Sequence, residues 1–191
     1  MISFAEFEIA LLGLLRLARF DAGFAGFFDL SRDGARRSFR LALWLLPIYL
    51  FLSHLNANWP EDTDMTRVVA AEIIGYALMW ICFPLVLVLF ARVIERENRI
   101  YGAIALYNWL AVLSVGLQAP IWIACYFGLD INWGAGLSDI VVLFCSACLF
   151  FAFRRLLEIR VEMVIALVVV EYILSRILEV ATYGLAHGTL F

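Results

Sequence analysis

Apolar residues are grouped in long blocks along the chain, separated by short polar connections. Five blocks are long enough to cross a bilayer as helices, which takes about 17–25 residues. They cover residues 40–57, 68–92, 100–127, 137–153 and 161–185. Backbone polar groups inside a bilayer must be paired within the segment, so we expect helices rather than strands. The pattern predicts an all-α integral membrane protein in which residues 40–191 form a bundle of five transmembrane helices.

Residues 1–39 precede the first predicted span and have a mixed pattern. The stretch ISFAEFEIALLGLLRLARF is apolar around most of a helix, and DAGFAGFFDLSRDGARRSF combines phenylalanines with Gly, Asp and Arg. An aromatic segment flanked by arginines is typical of helices that lie in the plane of the membrane surface. We therefore predict an amphipathic interfacial segment. The alternatives are a half-inserted helix at residues 3–20 packed against the bundle, and a full sixth span.

The composition indicates that lipid is the solvent of this chain. Of the 191 residues, 65% are hydrophobic and 16% are charged, and the mean hydropathy is +0.94. Soluble domains average about 45–50% apolar and about 25% charged residues. These values exclude a soluble enzyme, a disordered chain and a secreted disulfide scaffold. The net charge of -3 indicates no nucleic-acid partner.

The basic residues predict an orientation in the membrane. All fourteen are arginines, and twelve of them lie within residues 16–40, 92–99 and 154–160, whereas the opposite connections are mainly acidic. Because arginine-rich connections stay cytoplasmic, the N-terminus is predicted to be cytoplasmic and the C-terminus periplasmic. The absence of lysine is typical of a GC-rich bacterial genome, so we expect a bacterial inner membrane.

Ionisable residues inside predicted spans are the best candidates for a functional site. Four stand out: Glu72 in the second span, and Glu171, Arg176 and Glu179 in the fifth. Glu72 and Arg176 are predicted to lie at similar depths and could form an ion pair between helices. Arg176 can also bond Glu179, three positions further on.

Two interpretations of these charges remain open. They are either ion pairs that fix helix packing or parts of a proton- or substrate-linked site open to the outer side. In the second case His54, Gln118 and Asp139 are expected nearby. Glu171 favours a functional site because it has no basic residue at its own depth.

The cysteines and histidines do not indicate an enzyme, a metal or a cofactor. Cys145 and Cys148 have the C-x-x-C spacing of thiol oxidoreductases, but they lie inside an apolar helix, where a thiol is a poor nucleophile. Small buried hydrophobic residues are the favoured interpretation. The two histidines, His54 and His187, lie on different elements, and no nucleotide-binding or zinc-protease motif is present.

A candidate docking face lies in the N-terminal segment. Phe24, Phe27 and Phe28 recur at i, i+3 and i+4, so a helix would place them on one side, close to Arg36 and Arg37. Anionic headgroups attract basic residues at the surface by about 1 kcal/mol each. The alternative is that the phenylalanines pack under the bundle.

The lead sequence LLGLLRLARFDAGFAGFFDLSRDGARRSFR and the start of the first span, RSFRLALWLLP, resemble bacterial membrane proteins of the Yip family. The chain departs from that family at Asp21, where a proline is frequent. The resemblance implies five closely spaced spans after a cytoplasmic amphipathic lead. The eukaryotic relatives are similar to trafficking factors, and no catalytic residue is carried over.

Together these features favour a non-enzymatic accessory or scaffold subunit that binds membrane lipids, other membrane proteins or a second copy of itself. The alternative is a small transporter or channel component that uses the four intramembrane charges. A water-filled cavity that reaches Glu171 would favour transport. A dry Glu72–Arg176 pair would favour a scaffold.

Overall fold

The computed structural model describes residues 3–55, 63–95 and 97–187, apart from the side chain of Asn98. The regular elements in these ranges are helical. They are α1 (Phe4–Ala18), a 3₁₀ helix (Ala22–Phe27), α2 (Arg32–Ser38), α3 (Arg40–Leu55), α4 (Met65–Val93), α5 (Glu97–Tyr126), α6 (Ile131–Leu157) and α7 (Val161–His187).

Four helical segments are long and apolar enough to cross a membrane, and they indicate a membrane protein. They are Arg32–Leu55, Met65–Val93, Arg99–Tyr126 and Ile131–Leu157. Helix α7 has the same length as α6 but is not among the four, because its centre carries Glu171, Arg176 and Glu179 within about two and a half turns.

Helices α3 to α7 coincide with the five apolar blocks, and the largest difference is at the start of α6. This helix begins at Ile131 rather than at 137, because the Asp130 side chain accepts the backbone N–H of Asn132 and caps it. Gly134 then lies so close to Cys125 of α5 that a Cβ would overlap the sulfur. Residues 56 and 57 of the first block lie outside the described residues.

Helices α3 to α7 close a ring. Helix α3 contacts α4, α4 contacts α7, α7 contacts α6, α6 contacts α5, and α5 contacts α3. The pair α4 and α7 approaches closely at Gly75, where a Cβ would overlap the Thr182 side chain. Helices α4 and α5 also contact each other across the ring.

The N-terminal segment belongs to the same hydrophobic core as the bundle. Helix α1 buries Leu14 and Leu17 and packs against α5 and α6, while Leu12 and Leu15 on its other side are exposed. Arg37 of α2 lies 3.3 Å from the Glu6 carboxylate. The alternative of a helix packed against the bundle therefore fits α1. The predicted boundary between residues 39 and 40 falls within the apolar segment Arg32–Leu55.

The described arginine-rich segments meet at one end of the bundle. Arg99, at the start of α5, lies 2.7 Å from the Glu158 carboxylate between α6 and α7. Arg32 of α2 lies 5.9 Å from the ring centre of Tyr101. We call this end the arginine-rich end; Arg96 lies outside the described residues. At the opposite end, Arg67 Nε donates to the carbonyl of Leu185 at 2.8 Å.

Candidate functional site

A half-open cavity of about 650 Å³ lies between the five helices. Each helix lines it with residues at helical spacing, which means that each presents one continuous face. The polar, aromatic and charged side chains of the lining include those of Tyr49, Tyr76, Trp80, Phe83, Tyr107, Asn108, Ser114, Gln118, Trp122, Cys145, Glu171, Ser175, Arg176 and Glu179. Between Asn108 and Trp122 the cavity follows α5 for about 21 Å, towards the end opposite the arginines.

Glu171 is the innermost charged residue of the lining. It lies about 15 Å along α7 from Val161, and the Tyr107 hydroxyl donates to its Oε1 at 3.5 Å. Among the described residues, no arginine or histidine lies within ion-pair distance of this carboxylate.

Arg176 and Glu179 form an ion pair on the same helix. Arg176 Nη1 lies 3.0 Å from Glu179 Oε2, and the guanidinium lies 5.6 Å from the ring centre of Tyr172. The charge of Arg176 is thus compensated from within α7. Its Nε is buried and has no hydrogen-bond partner.

Asn108 is a lining residue that the sequence analysis missed. Its side chain is 1% exposed; Nδ2 donates to Ser38 Oγ at 2.9 Å, and Oδ1 is buried without a hydrogen-bond partner. The available signal was a single asparagine in the apolar run IALYNWLAVL. Only the packing of α2 against α5 shows that half of its amide is used and that the acceptor half is free.

Aromatic rings form much of the cavity wall. Tyr76, Trp80 and Phe83 lie on one face of α4, at i, i+4 and i+7. The Tyr49 and Tyr76 ring centres are 4.9 Å apart, and those of Phe83 and Tyr107 are 4.8 Å apart. The rings therefore support one another across α3, α4 and α5.

Glu72, the fourth predicted site residue, lies outside the cavity and does not pair with Arg176. Its carboxylate is buried between helices, and Oε2 lies 3.4 Å from Nδ1 of His54. The predicted Glu72–Arg176 pair is therefore wrong for the described structure, because α3 approaches Glu72 and Glu179 takes Arg176. Of the three further polar candidates, Gln118 lines the cavity, whereas His54 and Asp139 do not.

The C-x-x-C cysteines face different surroundings. Cys145 lines the cavity, whereas Cys148 is fully buried, with its sulfur 4.0 Å from the carbonyl of Leu17 in α1. All four cysteines are free thiols. Within the described ranges, no three His, Cys, Asp or Glu residues are grouped to hold a metal ion.

The candidate docking face is divided by the fold. Phe24 and Phe28 are buried in the core, and a Cβ on Gly13 would lie 2.7 Å from atoms of both Phe27 and Phe28. These two buried rings fit the alternative of packing under the bundle. Phe27 is half-buried beneath Arg16, at 4.8 Å.

The two arginines of that face also differ. Arg36 is exposed, whereas Arg37 is held between Glu6 and Asp29, at 3.3 and 2.6 Å. A docking role for Phe27 and Arg36 stays a prediction.

Comparisons with family models, curated proteins and solved structures found no match to this chain. The resemblance to the Yip family thus remains a prediction. The site offers a half-open cavity, a deep carboxylate, a buried amide oxygen without a hydrogen-bond partner and aromatic walls, which is the composition of a small-molecule binding site.

Proposed function

We propose that this chain is a small transporter or channel component whose solute binds in the cavity lined by the five helices α3 to α7. The observation that carries the proposal is that the cavity reaches Glu171. A water molecule has a share of about 30 Å³ in the liquid, so the cavity has room for on the order of twenty. Such a volume, lined by Glu171, Ser114, Gln118 and Ser175, suits water and a polar solute.

A purely structural role fits this geometry less well. The Glu72–Arg176 pair that would have favoured a scaffold is not formed among the described residues, where Glu72 lies beside His54 and Arg176 pairs with Glu179. Glu171 keeps its carboxylate in the wall of the cavity.

The same cavity supports α7 as a fifth span. Glu171, Arg176 and Glu179, the charges that set α7 apart from the other long helices, all line the cavity. Charged residues in a span are tolerated where they face an interior cavity. We therefore propose five spans, with the arginine-rich end cytoplasmic, the C-terminus outside and the chain in a bacterial inner membrane.

Access of water to the cavity tests the proposal, and two native cysteines provide a matched pair. One variant keeps Cys145 with alanine at the three other cysteine positions, and the second keeps Cys148 in the same way. In proteoliposomes, we expect a small water-soluble methanethiosulfonate to modify Cys145, which lines the cavity. Cys148 should stay unmodified, because it packs against α1.

Labelling of unfolded protein with the same reagent provides the total of reactive thiol for each variant. If Cys145 is as unreactive as Cys148 in folded protein, the cavity is closed to water and the transport proposal fails. Reaction of both cysteines at equal rates would mean that the bundle opens generally, which also contradicts a specific cavity.

An accessory role has one observation in its favour. The outer side of α1 exposes Phe4, Ile9, Leu12 and Leu15, and a partner or the lipid surface could cover it. Extraction in native nanodiscs, followed by identification of bound proteins, tests this second candidate. A bound partner that is lost when Leu12 and Leu15 are replaced by Gln supports it, and unchanged recovery contradicts it.

A further inference from the structure

We propose that the cavity binds a small organic cation, an amine with an aromatic or branched apolar body. This inference rests on the proposed function, because it requires a cavity that a solute can enter. Three features of the cavity wall indicate this class of ligand. These are the balance of charge, the polar atoms left without partners, and the arrangement of the aromatic rings.

The charge balance of the lining is negative. Arg176 pairs with Glu179 at 3.0 Å, and the charged lining residues are two carboxylates, Glu171 and Glu179, against this one guanidinium. A buried carboxylate is stabilised by a cation that brings its own charge and hydrogen-bond donors. An anionic solute would instead add a second negative charge at the inner end of the cavity.

The unpartnered polar atom near Glu171 is an acceptor. Asn108 follows Tyr107, the residue that donates to Glu171, and its Oδ1 has no donor. Because Nδ2 is held by Ser38 at 2.9 Å, the amide cannot turn round to offer a donor without losing that bond. An ammonium group has up to three N–H donors, which suits Glu171 and, once the groups that cover Oδ1 make way, the unpartnered oxygen of Asn108.

The aromatic rings favour an organic rather than a hydrated metal cation. The lining includes the aromatic residues Tyr49, Tyr76, Trp80, Phe83 and Tyr107, and the Tyr107 hydroxyl contacts Glu171. Ring faces attract cations within about 6 Å, by about 0.5–2 kcal/mol. They also pack against the apolar body of an amine, whereas a metal ion would need further oxygen ligands.

The outer part of the cavity sets the length of the ligand. Arg176 is five positions after Glu171, about 7.5 Å further along α7, and its buried Nε is an unpartnered donor. A hydroxyl or carbonyl at the far end of the amine would accept from it. The volume of about 650 Å³ lies within the range of about 300–1,000 Å³ for small-molecule sites.

Three compounds of one shape separate charge from size. Tyramine has an ammonium group and a phenol, 3-(4-hydroxyphenyl)propionate replaces the ammonium with a carboxylate, and tyrosol replaces it with a hydroxyl. We expect tyramine to bind to the full chain in nanodiscs by calorimetry, and to slow the modification of Cys145. The carboxylate analogue should bind at least about tenfold more weakly, because it cannot make a charge-assisted hydrogen bond to Glu171. A tenfold change in affinity corresponds to about 1.4 kcal/mol.

Variants on α7 assign the effect to one carboxylate. Glu171→Gln should weaken tyramine binding at least about tenfold, whereas Glu162→Gln, on the exposed start of the same helix, should leave it unchanged. Thermal unfolding of each variant shows whether it is folded. If Glu171→Gln does not fold, Tyr107→Phe, which removes the hydroxyl that contacts Glu171, should change the affinity for tyramine by about threefold or more.

The outcomes distinguish this inference from the function on which it rests. The cationic ligand class is wrong if Cys145 is reactive but tyramine neither binds nor protects it, or if the carboxylate analogue binds as tightly as tyramine. In both cases the proposed water-accessible cavity stands. Tyramine binding that survives Glu171→Gln also overturns the inference. If Cys145 is unreactive in the folded protein, the proposed function fails first.

Discussion

The Glu72 carboxylate lies 3.4 Å from Nδ1 of His54, and this contact links α4 to the C-terminal end of α3. Both residues belong to predicted spans, but the sequence pattern had paired Glu72 with Arg176 instead. Glu72 is 7% exposed, so its carboxylate depends on the groups around it. The contact removes Glu72 from the candidate solute site and assigns it to helix packing.

This relationship gives a test by double-mutant cycle. His54→Ala and Glu72→Gln should each lower the thermal stability, and the double variant should lose less than the sum, with a coupling of about 1 kcal/mol. The corresponding cycle between Glu72→Gln and Arg176→Gln should be additive, because those side chains form no ion pair. Coupling in the second cycle and additivity in the first would contradict the structure.

The close approach of α4 and α7 at Gly75 predicts a sharp intolerance of side chains. Gly75→Ala should destabilise by about 1–3 kcal/mol, because the new methyl overlaps Thr182. Gly136→Ala is the matched control: it is also within a helix, but nothing lies within 4 Å of its Cβ position. It should be neutral or stabilising by up to about 1 kcal/mol.

Rescue of Gly75→Ala identifies the contact. Adding Thr182→Ala removes the Oγ1 and Cγ2 atoms that the new methyl meets, so the double variant should recover part of the lost stability. Thermal unfolding in detergent measures the stability of the wild type, the two single glycine variants and the double variant. Equal losses for Gly75→Ala and Gly136→Ala would mean that α4 and α7 are not in close contact there.

Asp29 predicts an acid-sensitive attachment of the N-terminal segment. Hydrogen bonds from Ser31, and then the Arg37 guanidinium, hold the pKa of the Asp29 carboxyl below its ordinary value of 3.8. A carboxyl with a lowered pKa stabilises the fold fully above its unfolded value and loses that contribution as the pH falls through the lower folded value. The attachment of α1 through Arg37 should therefore weaken below about pH 4.

Limited proteolysis of residues 19–31 between about pH 3 and pH 6 measures this effect, with an acid-tolerant protease. Asp29→Asn should increase cleavage at the upper end of that range and flatten the pH dependence. Asp33→Asn is the control, because that carboxylate is largely exposed and lies 3.7 Å from Arg36. Identical pH profiles for wild type and Asp29→Asn would contradict a role for this carboxyl.

The number of spans can be decided at the C-terminus. If α7 crosses the membrane with its charges facing the cavity, the C-terminus lies outside, so a C-terminal alkaline phosphatase fusion should be active and a green fluorescent fusion dark. With only the four strongly apolar segments spanning, the C-terminus would be on the inner side and the two reporters would reverse. Fusions placed after Leu129 provide a control, because both arrangements put that connection outside.

The helices of this protein could be predicted from the sequence because their signal is local. Long apolar blocks dictate helices in lipid, and the charges between the blocks mark their ends, so α3 to α7 follow the five blocks closely. The start of α6 was missed, since Gly134 and Ser138 make that turn look polar. Their burial against neighbouring helices is a tertiary effect.

The pairing of the charges and the existence of the cavity were decided by the tertiary structure alone. Residue depth could suggest that Glu72 meets Arg176, but helix rotation determines which residues face each other, and apolar blocks do not specify rotation. Asn108 gained its importance from Ser38, seventy positions away. Phe24 and Phe28 were equally compatible with a surface or a core until α1 packed over them. Composition determined the solvent of this chain, whereas the closing of five helices into a ring decided what that ring encloses.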